Sequence, residues 1–286
     1  MKRPALRWIM VCMAPRTRLA PSTGTLSGLY VYPIKSCAGV SLQRSDLSAT
    51  GLRHDRCWML VDETGEFMSQ RAHPRMALIS VRLAPEWVIV NAPDMDELEI
   101  PLRNETGNQI DVHVFGDANR GELVGEDADR WFTEFLKFPC RLVHKPDDPR
   151  LVDSSFAQSG DQVSFADGFA FLLISEASLE DLNGRLEDPL PMNRFRPNFV
   201  VKGCRPYAED GWSRLRIGGV PFRVAEPCPR CAITTVDQRT GTRGKEPLRT
   251  LATYRKSDGE VFFGRNLLHD ALGTISVGDT VETTPR

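Results

Sequence analysis

No apolar run in this sequence approaches the roughly 20 residues that a helix needs to span a bilayer, so no membrane span is expected. Surplus charge is equally scarce: 36 Lys and Arg stand against 38 Asp and Glu, a formal net charge of -2. There is thus no global positive field to hold nucleic acid or an anionic membrane by charge alone, and neither is expected as a partner. A Walker-type Gly-Lys-Ser/Thr loop, a Rossmann glycine fingerprint, a nucleophile elbow and a His-Glu-x-x-His segment are all missing, which removes the common enzyme classes those motifs mark. The seven cysteines (12, 37, 57, 140, 204, 228 and 231) are an odd number scattered through a chain too long to need stapling. That usage reads as a reduced intracellular protein, with the cytoplasm as the expected location.

What is present is a globular composition: 286 residues, 41% hydrophobic and 26% charged, enough for two packed domains or one large β-rich domain. Residues 1–24 stand apart, with Lys2, Arg3, Arg7, Arg16 and Arg18, no acid, and a short apolar run from Trp8 to Ala14. They read as a basic tail, disordered or mis-started, since Met13 is an equally good first residue. From Gly28 short β-prone runs follow one another: Leu29 to Tyr32, Cys57 to Val61, Ala77 to Leu83, Trp87 to Val90 and Gln109 to Phe115. Asp62-Glu63-Thr64-Gly65 is a hairpin-type turn. Asp127 to Phe138 changes period, placing Trp131, Phe132, Phe135 and Leu136 on one helical face. The proline-bounded Pro146-Asp147-Asp148-Pro149 marks a boundary. Beyond it lie a strand from Phe171 to Ile174, a helix N-capped by Ser175, and strand-like runs at Phe199 to Val201, Leu215 to Ile217, Pro221 to Val224, Ala232 to Val236, Val261 to Phe263 and Thr274 to Val281. Many short strands with few helices predict a mainly β (α+β) chain built as a barrel or sandwich.

Cys228-Pro229-Arg230-Cys231 is the most reactive-looking segment. A zinc site needs four ligands, yet no second Cys pair exists and the five His are dispersed. A thioredoxin-like pair wants a helix after it, whereas Ile233 to Val236 is β-branched, a strand composition. A single thiolate offered to a soft metal already carried by a cofactor needs only one Cys and a neighbouring cation such as Arg230, and two buried thiols acting as small hydrophobes remain the plain alternative. Lys35-Ser36-Cys37 and Arg53 to Arg56 supply cations and backbone donors suited to a phosphate, although Asp55 and Arg56 alone would also read as a surface ion pair. Asn193-Arg194-Phe195-Arg196-Pro197-Asn198 adds guanidinium and amide groups able to read phosphate and a heteroaromatic ring.

Tyr32-Pro33-Ile34-Lys35-Ser36-Cys37, Gly51 to Trp58, Ser175 to Leu179, Arg196-Pro197-Asn198, Cys228 to Cys231 with Thr234 to Asp237, and Gly273 to Asp279 together resemble, in order, the MOSC superfamily. The chain is most similar to its two-part members, exemplified by the mitochondrial amidoxime-reducing component and bacterial YcbX. The resemblance implies a MOSC N-terminal β-barrel region over 25–145 packed with a β-barrel MOSC domain over 150–284. It implies the pyranopterin molybdenum cofactor, with Cys231 as catalytic residue and molybdenum ligand and Cys228 as its neighbour. Lys35, Ser36 and Arg56 match positions that hold the cofactor's phosphate, Arg196 and Asn198 those on its pterin side, Gly168 and Phe169 a contacting turn, and Pro229 a further cofactor contact. The implied activity is reduction of small N-hydroxylated compounds (amidoximes, hydroxylamines, N-hydroxylated bases) to the amidine or amine plus water. No clustered-Cys ferredoxin segment follows Val281, so electrons are expected from a separate donor of ferredoxin, flavodoxin or cytochrome b5 type with its reductase. Asp237 and Glu246 are proton-donor candidates only through nearness to Cys231 in sequence. The alternative from another class is a sulfur or cofactor carrier that uses the same cysteine for handover.

Overall fold

The computed structural model describes residues 23–104, 106–152 and 155–286; the tail expected over 1–24, Cys12 included, lies outside them up to residue 22. Thr23 and Gly24 already belong to a strand, Thr23–Val31, paired with Thr280–Pro285. That first strand is alternately buried, with Leu26, Leu29 and Val31 fully inside, and it is inserted into a barrel whose other strands come from the second half of the chain.

The sheet closes on itself. Around it run Phe171–Ser175, Phe199–Lys202, Thr23–Val31, Thr280–Pro285, Trp212–Ile217, Val220–Pro229 and Glu260–His269, and the last pairs back with the first through Phe171 opposite Leu267. A closed seven-strand barrel leaves none of these strands as a free edge. All neighbours are antiparallel except Phe171–Ser175 with Phe199–Lys202, and a parallel pair requires a crossover. The helix Glu176–Asn183 begins that crossover, its N-terminus capped by Ser175, whose hydroxyl accepts from the Ser178 amide at 3.1 Å. Phe171, Phe199 and Phe222 fill the barrel, with ring centroids 5.1 to 5.4 Å apart.

The first half adds a four-stranded sheet (Trp58–Val61, Arg141–His144, Asp117–Leu123, Gln109–Val114) and a three-stranded one (Ser80–Leu83, Trp87–Asn91, Leu98–Pro101). The helix Glu126–Leu136 turns Trp131, Phe132, Phe135 and Leu136 into a core shared with both. Asp62 caps its turn through its carboxylate, and Gly65 takes φ 86, where a side chain would strike the Asp111 carbonyl.

Two expected strands are corrected. Ala77 to Leu83 divides into a 3-10 turn, Pro74–Leu78, and a strand, Ser80–Leu83, because Pro74 presets a helical φ at the turn's start. Ala232–Thr235 is a 3-10 turn as well, with Cys231 at its N-cap. Its threonine hydroxyls bond back to carbonyls three residues earlier, Thr234 to Cys231 at 2.9 Å and Thr235 to Ala232 at 2.8 Å, which tightens the chain despite its β-branched composition. Among the described residues no helix is long and apolar enough to cross a membrane.

Candidate functional site

The end of the first barrel strand runs straight into Tyr32 to Cys37, and a buried carboxylate organises that region. Asp55 accepts from the Tyr32 amide at 2.7 Å, from Asn198 Nδ2 at 3.2 Å and from Arg56. The Asp55–Arg56 pair is therefore an interior pair and not the surface ion pair that composition alone allows. Burial opposes the Arg56 charge, but Asp55 outweighs it and holds the guanidinium pKa above its ordinary value. Arg56 and Arg196 both lie over one ring, 4.7 and 4.2 Å from the Tyr32 centroid. Arg196 also donates to the Cys37 carbonyl at 2.6 Å, and burial pulls its pKa down to about 10. Asn198 joins the halves: its Nδ2 reaches the Tyr30 carbonyl at 3.1 Å, while its Oδ1 accepts from Arg56 and from the Leu172 amide, each at 3.2 Å.

Ser36, Arg56 and Arg196 all adopt left-handed backbone, with φ 67, 52 and 57. Such a conformation costs a non-glycine residue on the order of 1–3 kcal/mol and persists only where its surroundings over-determine it. Here they do. Gln70, fully buried, donates to the Ser36 carbonyl at 2.7 Å, and its amide is clasped reciprocally with Gln238 at 3.0 and 3.3 Å. The Arg56 amide donates to the Tyr32 carbonyl at 2.9 Å, and the Arg56 carbonyl accepts from Phe165 at 3.1 Å.

Lys35 Nζ donates to the Phe165 carbonyl at 2.7 Å and pairs with Asp167. Burial lowers the Lys35 pKa and Asp167 offsets part of that. Facing this cationic end is the Cys228 to Cys231 segment. Arg230 Nη1 donates to Cys228 Sγ at 3.0 Å, yet burial still pushes the Cys228 thiol up. Cys231 is partly exposed, and Arg71 Nη1 approaches its sulfur to 3.6 Å.

One cavity of about 450 Å³ is lined by Lys35, Ser36, Arg56, Gly168, Phe169, Arg196, Asn198, Pro229 and Cys231. The residues matched to cofactor and metal positions thus line one cavity, although the two halves contribute from positions nearly 200 residues apart. Arg71, Phe115 and Asp167 line the same cavity and carry no signal of their own in the sequence: Arg71 sits in an irregular loop, Phe115 in a hairpin turn, and Asp167 in the turn before Gly168. Asp237 and Glu246 do not line it; they line a neighbouring cleft, where Asp237 caps its own turn and pairs with Arg194, and Glu246 pairs with Arg249.

The sequence matches the MOSC N-terminal beta barrel domain over residues 23–139 and the MOSC domain over 160–282. It is 37% identical to human mitochondrial amidoxime-reducing component 1, over 97% of this chain and 88% of that protein. The chain belongs to the MOSC family. This MOSC protein is also 39% identical to mouse mitochondrial amidoxime-reducing component 1 (93% of this chain, 84% of the relative) and 39% to bovine mitochondrial amidoxime reducing component 2 (93% and 85%).

The donor set fits a phosphate-bearing pterin with a soft metal. Fixed cations and left-handed backbone stand at one part of the cavity and a thiol at another, and the buried Arg230 Nε has no hydrogen-bond partner within the protein. Gly168 lines the cavity and faces open space, with nothing within 4 Å of where a Cβ would sit, which leaves room for a ligand to approach the backbone.

Proposed function

We propose that this MOSC protein is a molybdenum-cofactor-dependent reductase of small N-hydroxylated compounds, yielding the amidine or amine plus water with two electrons from a separate redox protein and two protons from solvent. The observation carrying this reading is that the cationic, strained backbone of the first half and the Cys231 thiol of the second face one cavity. When bound, the cofactor would supply the two-electron chemistry, and a thiolate is the donor class its metal favours.

The chain's own residues do the rest. Lys35 and Arg56 neutralise phosphate charge, with Ser36 presenting its backbone and hydroxyl. Arg196 and Asn198, immobilised by Cys37, Tyr32 and Tyr30, hold the pterin side; Gly168, Phe169 and Pro229 shape the walls, and Cys231 ligates the metal. Because these groups are locked before any ligand arrives, binding costs little ordering entropy, which favours retention over handover by a carrier. The donor we propose is of ferredoxin, flavodoxin or cytochrome b5 type. The proposed compartment is the cytoplasm, on the strength of six free thiols among the described residues, and cell fractionation decides between it and the mitochondrion of the relatives' names.

Protein purified from a cofactor-producing host should reduce benzamidoxime when supplied with chemically reduced viologen. Metal-loaded wild type that turns over neither an amidoxime nor a hydroxylamine would refute the reading.

A further inference from the structure

Phe115 is out of place as a structural residue. It and Gly116 form the two-residue connection of the hairpin joining Gln109–Val114 to Asp117–Leu123, with Val114 opposite Asp117. Both have positive φ, 55 and 87, the signature of a type I′ turn, in which Asn or Gly is the unstrained first residue. A bulky aromatic side chain in that conformation is a true outlier. The ring gains little from burial, because it is 53% exposed. Instead it lines the cavity that contains Cys231.

Its surroundings show what the ring can hold. Phe67 packs tilted against it at 4.7 Å, which fixes its plane. The Arg71 guanidinium lies 4.7 Å from its centroid while Arg71 Nη1 points at Cys231 Sγ. A planar N–C–N cation on an aromatic face, with an N–H directed at the sulfur, has the shape and charge of an amidinium, the form in which the product of amidoxime reduction exists at neutral pH. An aromatic face recognises such a group through its quadrupole.

We propose that Phe115 is a specificity-determining residue: its ring is the wall on which the planar N–C–N group of an amidoxime substrate, and then of its amidine product, stacks in the place that the Arg71 guanidinium takes in the free protein, so that conjugated amidoximes are preferred over small hydroxylamines lacking that plane. This rests on the reductase reading for the substrate's identity, while the ring's role as a binding wall is testable without turnover.

The decisive variant is Phe115→Asn, which removes the ring and installs the residue the turn favours; Phe115→Tyr keeps a ring. Calorimetry on cofactor-loaded protein with benzamidine as the probe should show binding weakened about tenfold in Phe115→Asn and by less than threefold in Phe115→Tyr. The melting temperature of Phe115→Asn should equal or exceed that of wild type, because turn strain is relieved. The ratio of kcat/KM for benzamidoxime over N-methylhydroxylamine should fall about tenfold in the same variant. Benzamidine binding unchanged within twofold in Phe115→Asn, or undetectable in wild type, overturns the proposal. Wild type that binds benzamidine through Phe115 yet reduces nothing would instead overturn the reductase reading and leave this one standing.

Discussion

Gly168 separates what the fold needs from what a ligand needs. Its φ lies outside the left-handed region and a Cβ added there meets no atom within 4 Å, so nothing in the protein itself demands glycine. Replacing such a glycine by alanine stabilises a chain by about 0.4–1 kcal/mol through the unfolded state. With unfolding entropy of about 2.1 cal/mol/K per residue, a chain of 286 residues has a slope near 0.6 kcal/mol/K. The expected change in melting temperature for Gly168→Ala is therefore a rise of about 1–2 °C. A bound cofactor would meet the new methyl group as overpacking, which costs about 1–3 kcal/mol and weakens retention by about 5- to 150-fold. Gly168→Leu should abolish retention. The assay is molybdenum per polypeptide by elemental mass spectrometry alongside differential scanning fluorimetry. Full metal loading in Gly168→Leu, or a melting temperature several degrees below wild type in Gly168→Ala, would show the reasoning to be wrong.

Further outcomes follow from the surrounding residues. His54 takes its proton near pH 6.5 when unfolded, but burial, with the charges of Arg53 and His144, holds that back to about 4 in the folded protein. The unfolded chain thus binds the extra proton between those values, so unfolding free energy should fall as pH drops from 6.5 to 4. His54→Asn, which tolerates the observed φ of 67, should flatten that limb in denaturant titrations; an unchanged slope would rule out His54 as its cause. Gln70→Leu takes the donor from the Ser36 carbonyl and from Gln238 Oε1, and should lower stability by about 1–3 kcal/mol. If Gln70 positions the phosphate end of the site, metal retention should drop in this variant and should not recover in Gln70→Glu, whose carboxylate has no N–H to give the Ser36 carbonyl. Arg196→Lys keeps the charge but not the planar stack on Tyr32 or its reach to the Cys37 carbonyl; retention should fall about tenfold, and unchanged loading would remove Arg196 from the site.

Local chemistry was readable where it is local. The apolar stripe of Trp131, Phe132, Phe135 and Leu136 announces its helix, and Ser175 announces the start of the next through a cap that the backbone amide three residues on completes. The β-barrel class follows from runs of short strands, because alternation and turn residues act over a few positions. What was not readable depends on distance or on competition. Nothing near Thr23–Val31 says that it lies between strands ending near 202 and 285. At Ala232–Thr235 β-branching argues for a strand, yet the same threonines hold a 3-10 turn through their hydroxyls, and that sets Cys231 at an N-cap. Cations at Lys35, Arg56 and Arg196 came to notice because they sit in ordered motifs. Arg71 and Phe115 reach the same cavity from an irregular loop and a hairpin tip, where residue type alone carries no pattern.

The central claim is that Cys231 holds molybdenum in the cavity built by both halves. Its most direct test is molybdenum content of wild type and Cys231→Ser purified side by side from a cofactor-producing host, with melting temperatures recorded on the same samples. The account predicts near-stoichiometric metal in the wild type, with loss of the metal or a changed metal absorption spectrum in a variant that melts within about 2 °C of it, since Cys231 is partly exposed and the hydrogen bond to its sulfur among the described residues is the long one from Arg71. Equal molybdenum content and an identical metal spectrum in the two proteins, or none in a well-folded wild type, would contradict it.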